Sequence, residues 1–458
     1  MNEYEDKINI AVCGPVDAGK STLIGVLTSG ILDNGNGLAR INVLTHKHEL
    51  ESGRTSYITY NPLIYERKQN SLVIKLAKNG KIRKINEIDY TNDTNTKYKT
   101  KIIQLLDLAG HEKYLKTTVY GITGLFPDYG FVIIGANTGI TKLTKEHLEL
   151  LLYLGLSTII IITKIDYAPK HIYTKLKKQI DKLLSKYVKK SYHICGKLSD
   201  TQTIDYINTY FDKKKVIPVI SLSNKTGKNI NNLHKIIYSI KPNKAWNNKQ
   251  KIKGSIFYID TTFVVPGIGL VLSGILKGEP IRKGQQIYLG PHYGKFYKVI
   301  IRSIHNSIRQ HINTVFNGMN ATLAVKFINS KQTLNREKIT KGMICIDEIE
   351  KWKNNVVFKF KAKVKILHHS TTIKNGYTPI IHCGPIRQAA KIIDTKKICK
   401  ENNFKHDDKY LRTGDDCILN FKFVQHSEFM ENNMLFFFRD GTTKGVGKVL
   451  NLISDYIN

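Results

Sequence analysis

The chain has 458 residues, 41% of them hydrophobic, enough apolar material for packed cores and, at ordinary domain size, for about three of them. No apolar run approaches the roughly 20 residues a bilayer-spanning helix needs, the charged start Met1–Lys7 does not read as a signal peptide, and six scattered cysteines without a CxxC pair exclude a disulfide framework or a zinc site, so a reduced, cytoplasmic setting without membrane attachment is expected. The formal net charge is +34, but only 11 of the 71 basic residues are Arg: part of the excess reflects a codon bias toward Lys and Asn, and the rest suits a polyanionic partner.

In chain order, the apolar run Ile8–Cys13 ends in Gly14-Pro15-Val16-Asp17-Ala18-Gly19-Lys20-Ser21 and is followed by a helical pattern over Thr22–Leu27. Two glycines, then Lys-Ser, at the junction of a strand and a helix form a loop whose N–H groups can turn inward around phosphates. The lysine then reaches the β/γ oxygens and the serine hydroxyl ligates Mg²⁺. A nucleoside triphosphate is therefore the expected ligand, with Gly14, Val16, Asp17, Ala18, Gly19, Lys20, Ser21 and Thr22 as its contacts.

The stretch His48–Ser56 is expected to hold a segment that orders around the metal and the γ-phosphate, with Thr55 as its ligand and Ser56 as the fallback. The polar stretch Gln69–Lys99 contains the turn signal Lys78-Asn79-Gly80-Lys81, has few apolar residues after Ala77, and reads as a surface hairpin with a mobile tip, able to bury little. Another apolar strand, Ile102–Leu106, leads into Asp107-Leu108-Ala109-Gly110-His111-Glu112. Asp107 is placed to hold Mg²⁺ through a water, the Gly110 N–H to sense a γ-phosphate, and His111 to orient the attacking water.

Thr158–Ile162 ends in Thr163-Lys164-Ile165-Asp166. An ionised Asp166 accepts from both N1–H and the 2-amino group of guanine, a pair of donors adenine lacks on that edge, while the Lys164 stem packs over the base. This motif ordinarily begins with Asn. With Thr163 in its place, a hydroxyl must do part of the work of an amide that ties the base loop to the phosphate loop. Ser221-Leu222-Ser223, after Val216–Ile220 and before Gly227, takes the place of the loop whose backbone N–H reaches guanine O6. Between these two motifs, Lys170–Lys190 reads as a helix buried along Ile172, Leu176, Ile180, Leu183 and Tyr187, its lysines facing solvent.

Strands and helices alternate over residues 1–242, as a parallel sheet with crossover helices requires. Residues 243–251 are polar and aperiodic and read as a linker, residues 252–350 as short glycine-broken strands of one barrel, and residues 354–458 as a second all-β domain beginning with a clean alternation over Phe358–Val364.

These motifs resemble the translational GTPases of the elongation factor Tu / elongation factor 1-alpha superfamily, and within it the GTP-binding protein 1 and 2 group. The resemblance rests on Val16–Leu23, Leu32-Asp33-Asn34-Gly35-Asn36-Gly37, His46–Ser56, Asp107–Thr118, Leu367–Ile373, Leu411–Asp415 and Phe438–Gly447, which span essentially the whole chain. It implies an α/β P-loop GTPase domain, a mostly parallel sheet with helices on both faces, followed by two antiparallel β-barrels. It also implies GTP/GDP and Mg²⁺ as cofactors and aminoacyl-tRNA and the ribosome as partners of a monomer. A histidine after the glycine at 110 separates translational members from Ras-like ones, which gives His111, Lys20 and Thr55 the catalytic roles. The Lys361–Lys391 region corresponds to the surface the family turns toward tRNA. The rival expectation is a GTP-gated RNA-binding adaptor in mRNA decay or ribosome rescue. Arg54 departs from elongation factor Tu, which has at that position an apolar residue that, with the one matching Val16, screens the histidine.

Overall fold

The computed structural model describes residues 6–44, 49, 55–78, 80–90, 100–187, 190–194, 216–242, 253–329, 333–340, 342–397, 410–441 and 443–453. Arg54, the 243–251 linker and the 91–99 end of the insertion lie outside them. The chain divides into two compact units, one built from most of residues 1–248 and one containing residues 249–458.

The first unit is a nine-stranded mixed sheet: β1 (Asp6–Cys13), β2 (Thr59–Arg67), β3 (Ser71–Lys78), β4 (Lys81–Asp89), β5 (Thr100–Asp107), β6 (Tyr129–Gly135), β7 (Ser157–Thr163), β8 (Lys190–Ile194) and β9 (Val216–Ser221), in the order β4-β3-β2-β5-β1-β6-β7-β9-β8. The six strands from β5 to β8 in that order run parallel. Parallel strands are covered on both faces, which is why the near-continuous apolar runs of β6 and β7 are buried at every residue. Helices α1 (Lys20–Ser29), α2 (Leu115–Thr123), α3 (Lys142–Tyr153), α4 (Lys170–Leu184) and α5 (Ile230–Ser239) complete the unit. At the end of α5 the buried Lys101 ammonium donates to Tyr238 O at 2.5 Å and Ile240 O at 2.6 Å, a cation on carbonyls the helix leaves unpaired.

Two expectations need correction. The inserted hairpin forms, with Lys78 opposite Lys81, but it extends the main sheet rather than standing off it: β3 buries Leu72, Val73, Ile74 and Leu76, while the edge strand β4 is largely exposed and carries Lys81, Arg83 and Lys84, charges that discourage further pairing. In α4 the buried stripe is Leu176, Ile180 and Leu184, and Ile172 is exposed.

The second unit holds two closed six-stranded antiparallel barrels. In the first, Gln286–His292, Ile344–Ile346, Ser255–Val265, Gly269–Gly278, Asn320–Phe327 and Lys295–Asn306 follow one another around the barrel, and the last pairs back to the first. The second is formed by Lys359–His368, Asp416–Phe423, Ile386–Lys397, Ile380–Cys383, Leu435–Asp440 and Thr443–Ile453. Its first strand buries Phe360, Ala362, Val364 and Ile366, and the lysines between them turn away from the core, as a period of two dictates. The barrels are tied together: Tyr258 OH donates to Glu431 Oε1 at 2.5 Å, Lys277 Nζ approaches the same carboxylate at 2.7 and 3.0 Å, and Trp352 meets Phe429 edge-on at 5.8 Å. Among the described residues no helix is long and apolar enough to cross a membrane.

Candidate nucleotide-binding site

In open α/β sheets, ligands gather where the carboxyl ends of parallel strands meet loops. Here β1, β5, β7 and β9 deliver to one edge the phosphate loop, Asp107, Thr163 and the turn after Ser221. A cavity of about 630 Å³ opens there, lined by Val16, Asp17, Gly19, Lys20, Ser21, Thr22, Thr55, Gly110, His111, Lys164 and Asp166 among others. Of the residues the sequence singled out, Gly14, Ala18, Asp107 and Thr163 sit behind this wall and support it.

At the phosphate end, Gly19 has φ 89° and passes the chain into α1, whose first residue is Lys20. Lys20 Nζ donates to Pro15 O at 2.9 Å and is buried. Burial pushes its ammonium down from the ordinary lysine range, and the Asp107 charge partly restores it. Asp107, fully buried, is shifted the other way: desolvation raises its carboxyl, opposed by the Lys20 charge and by the Ser21 and Thr55 hydroxyls. Ser21 Oγ donates to Asp107 Oδ2 at 2.6 Å, Thr55 Oγ1 to the same oxygen at 3.1 Å, and the two hydroxyls are 2.8 Å apart. Asp107 Oδ1 is buried without a hydrogen-bond partner among the described residues. Three hard oxygens converging, one carboxylate oxygen unsatisfied, is a donor set that fits Mg²⁺. Ser56 does not share this role: its hydroxyl and N–H both donate to Glu49 Oε1, at 2.8 and 2.7 Å, and that anchorage turns Thr55 alone toward Ser21.

Gly110 needs to be glycine. A Cβ there would lie 2.1 Å from Lys20 Nζ, 2.7 Å from Gly14 O and 2.9 Å from the Pro15 carbonyl carbon. His111 follows it and lines the cavity. Its Nδ1 accepts from Lys113 N at 3.1 Å, which assigns the proton to Nε2 and leaves that nitrogen as a donor.

At the base end, Thr163 Oγ1 donates to Ala18 O at 2.6 Å, so a hydroxyl does join the base loop to the phosphate loop. Lys164 takes a left-handed conformation (φ 58°), and with Asp166 and Tyr167 it lines the cavity. The Ser221–Ser223 segment needs correction. Leu222 N donates to Ile162 O at 2.8 Å and Ser223 N to Lys228 O at 3.1 Å, so those N–H groups are spent, and Ser221 Oγ accepts from Tyr173 OH at 2.8 Å. The residues of this turn that reach the cavity are the next two, Asn224 and Lys225.

Asp33–Gly37, which the sequence marked only as part of the family resemblance, also belongs to the site. Asp33 N donates to Asn224 O at 2.9 Å, and the Asp33 carboxylate accepts from the N–H groups of Gly35 (2.9 Å), Gly37 (3.3 Å) and Ala39 (3.0 Å). The loop therefore forms a second wall against the base-side turn, with Arg40 also at the cavity. The signal was an Asp followed by two glycines at alternate positions, the composition of a side-chain-capped turn.

With this geometry established, comparison with known proteins decides the family. Residues 5–243 match the family described as elongation factor Tu GTP binding domain, and residues 353–453 the elongation factor Tu C-terminal domain. The chain belongs to the elongation factor Tu/elongation factor 1-alpha superfamily. Among its relatives, GTP-binding protein 1 of Xenopus laevis is 35% identical over 99% of this chain and 64% of its own length. GTP-binding protein 2 of Homo sapiens is 31% identical over 97% of this chain and 69% of its own. The chain thus spans less than two thirds of the Xenopus relative. Among solved structures, the Ski7 GTPase-like domain of S. cerevisiae, bound to GTP, superposes with a TM-score of 0.66 at 15% identity, covering 98% of both chains, a likeness of fold.

Proposed function

We propose that this superfamily member is a GTP-hydrolysing switch that binds aminoacyl-tRNA in its GTP form and acts at the ribosome, as an elongation factor does. The observation that carries the reading is the convergence of Thr55 and Asp107 on Ser21 at one end of a cavity whose other end presents Lys164 and Asp166. Thr55 follows the 45–54 stretch and Gly110 the end of β5, so a γ-phosphate between them would hold two separate peptides at once. Losing it would release both.

Mg²⁺, held by the Ser21 and Thr55 oxygens and by Asp107 through a water, would neutralise charge on the β- and γ-oxygens. Lys20 and the phosphate-loop N–H groups stabilise the charge that spreads over the γ-phosphoryl oxygens as the bond to the GDP oxygen breaks. His111 orients the attacking water through Nε2. Asp166 takes the guanine N1–H and 2-amino group, and Lys164 covers the base. The domain boundaries that go with this reading are 1–242, 252–350 and 354–458, in a cytoplasmic monomer. The barrels and the net charge of +34 supply a surface suited to RNA phosphates.

The test is filter binding of the GTP form to charged and uncharged tRNA. Strong preference for the charged species supports delivery. Equal binding overturns delivery in favour of an RNA-binding adaptor in mRNA decay or ribosome rescue, and retention of ATP as firmly as GTP removes the switch altogether.

A further inference from the structure

Thr163 ends β7 and Asn224 comes three residues after the end of β9, and these strands pair in parallel with Ile162 opposite Ser221. Between them lies Gly19: a Cβ built there would find Thr163 Oγ1 at 3.5 Å and Asn224 Nδ2 at 3.6 Å. The bend of the phosphate loop therefore rests against a hydroxyl on one side and a carboxamide on the other. The hydroxyl is committed, to Ala18 O at 2.6 Å. The carboxamide is not: Asn224 lines the cavity, is only 8% exposed, and its Oδ1 is buried with no hydrogen-bond partner among the described residues. Buried polar atoms are ordinarily satisfied, so an unsatisfied one on a cavity wall marks a place for a ligand.

The backbone that carries this side chain is held on both sides. Asn224 O accepts from Asp33 N at 2.9 Å, and Ser223 Oγ accepts from the N–H groups of Lys225 and Thr226 at 3.2 and 3.0 Å. A side chain fixed so firmly, with a donor and an acceptor end of its own, can brace two loops without reorganising when the nucleotide arrives.

We infer that Asn224 is a nucleotide-positioning residue: its carboxamide braces the base-side turn against the phosphate loop at Gly19 and offers its remaining polar end to the bound base. It supplies from β9 the amide that Thr163 does not supply from β7, so the hydroxyl and the amide together hold the two halves of the site in register. The inference rests on the guanine-nucleotide reading of this cavity and deepens it.

The experiment is an exchange of the two side chains, read as the dissociation rate and Kd of a fluorescent GDP on the full chain. Asn224→Ala is expected to accelerate release at least tenfold. Adding Thr163→Asn in that background, which moves an amide to the neighbouring strand end, is expected to bring the rate back to within about threefold of the parent, a rescue that a merely structural asparagine would not show. Release within twofold of the parent in Asn224→Ala, or no recovery in the double variant, overturns the inference. Should Asn224→Ala not fold, the same comparison between Asn224→Ser and Thr163→Asn/Asn224→Ser decides it, equal rates in those two being the refuting result. A parent chain that holds ADP as well as GDP refutes the guanine reading and this inference with it. A parent that prefers GDP, with an unaffected Asn224→Ala, refutes this inference alone.

Discussion

Gly110→Ala is the sharpest perturbation the site offers. The added methyl would sit 2.7 Å from Gly14 O and 2.9 Å from the Pro15 carbonyl carbon, both backbone atoms, and 2.1 Å from Lys20 Nζ. Ordinary carbon contacts begin near 3.5 Å, so the ammonium must retreat by more than an ångström, and the loop after β5 must back away from the phosphate loop. The first movement breaks the 2.9 Å bond from Lys20 Nζ to Pro15 O and takes the cation away from the triphosphate. The second withdraws the Gly110 N–H from the place of a γ-phosphate. Overpacking of this kind costs about 1–3 kcal/mol. At about 2 kcal/mol the expected loss of GTP affinity is roughly thirtyfold. GDP, which lacks the group the Gly110 N–H would meet, is expected to lose less, so the GTP-to-GDP affinity ratio falls. Titrating both nucleotides by calorimetry into parent and variant measures it. A variant whose ratio equals the parent's would refute the claim that this N–H senses the outermost phosphate.

Three further outcomes are expected. His111→Ala keeps the parent's GTP affinity, while ribosome-stimulated turnover falls roughly 10²-fold or more, the scale of a lost catalytic group; unchanged stimulated turnover, measured by phosphate release, removes the residue from the mechanism. Thr55→Ala loses one of the two hydroxyls beside Asp107, so the Mg²⁺ concentration giving half-maximal GTP binding rises about tenfold, with GDP binding nearly unaffected, a difference read by metal titration. Glu428→Gln addresses the barrels: burial raises the Glu428 carboxyl to about 8, with Gln388 Nε2, at 2.7 Å, favouring the ionised form, and with His426 Nδ1 at 3.6 Å as its neighbour. The folded state therefore holds a proton that the unfolded chain releases from about pH 4.5, so stability is lost as pH rises from there to about 8, on the order of 5 kcal/mol at most. The variant should lack that slope. Urea unfolding of both forms at pH 5 and pH 8, followed by the fluorescence of Trp352 beside Phe429, tests it, and parallel slopes would refute it.

The phosphate loop was legible because its chemistry limits residue choice: only glycine takes the Gly19 bend, and only a long cation reaches back over the loop from the start of α1. Both barrels were legible in their glycine-punctuated strands and in the alternation of Phe358–Val364. The base-side turn was displaced by one or two residues because Ser221 and Ser223 alternate and look alike in sequence. What separates them is that the N–H groups of Leu222 and Ser223 are consumed by Ile162 and Lys228, a fact of tertiary pairing. Asp33–Gly37 was visible as letters but not as a wall of the site, since its partner Asn224 lies 191 positions further on, 224 less 33. The burial of β3 was underestimated for a similar reason: whether Leu72–Leu76 cover a core depends on the neighbouring strand, not on the polar residues that follow them.

The hold that Tyr258 and Lys277 keep on Glu431 has a mechanical meaning. Two barrels clamped through one shared carboxylate cannot answer a push independently, so a displacement delivered to either is felt by both. The edge-on contact of Trp352 with Phe429 adds a second tie, so loosening the carboxylate clamp alone would weaken this coupling while leaving each barrel whole.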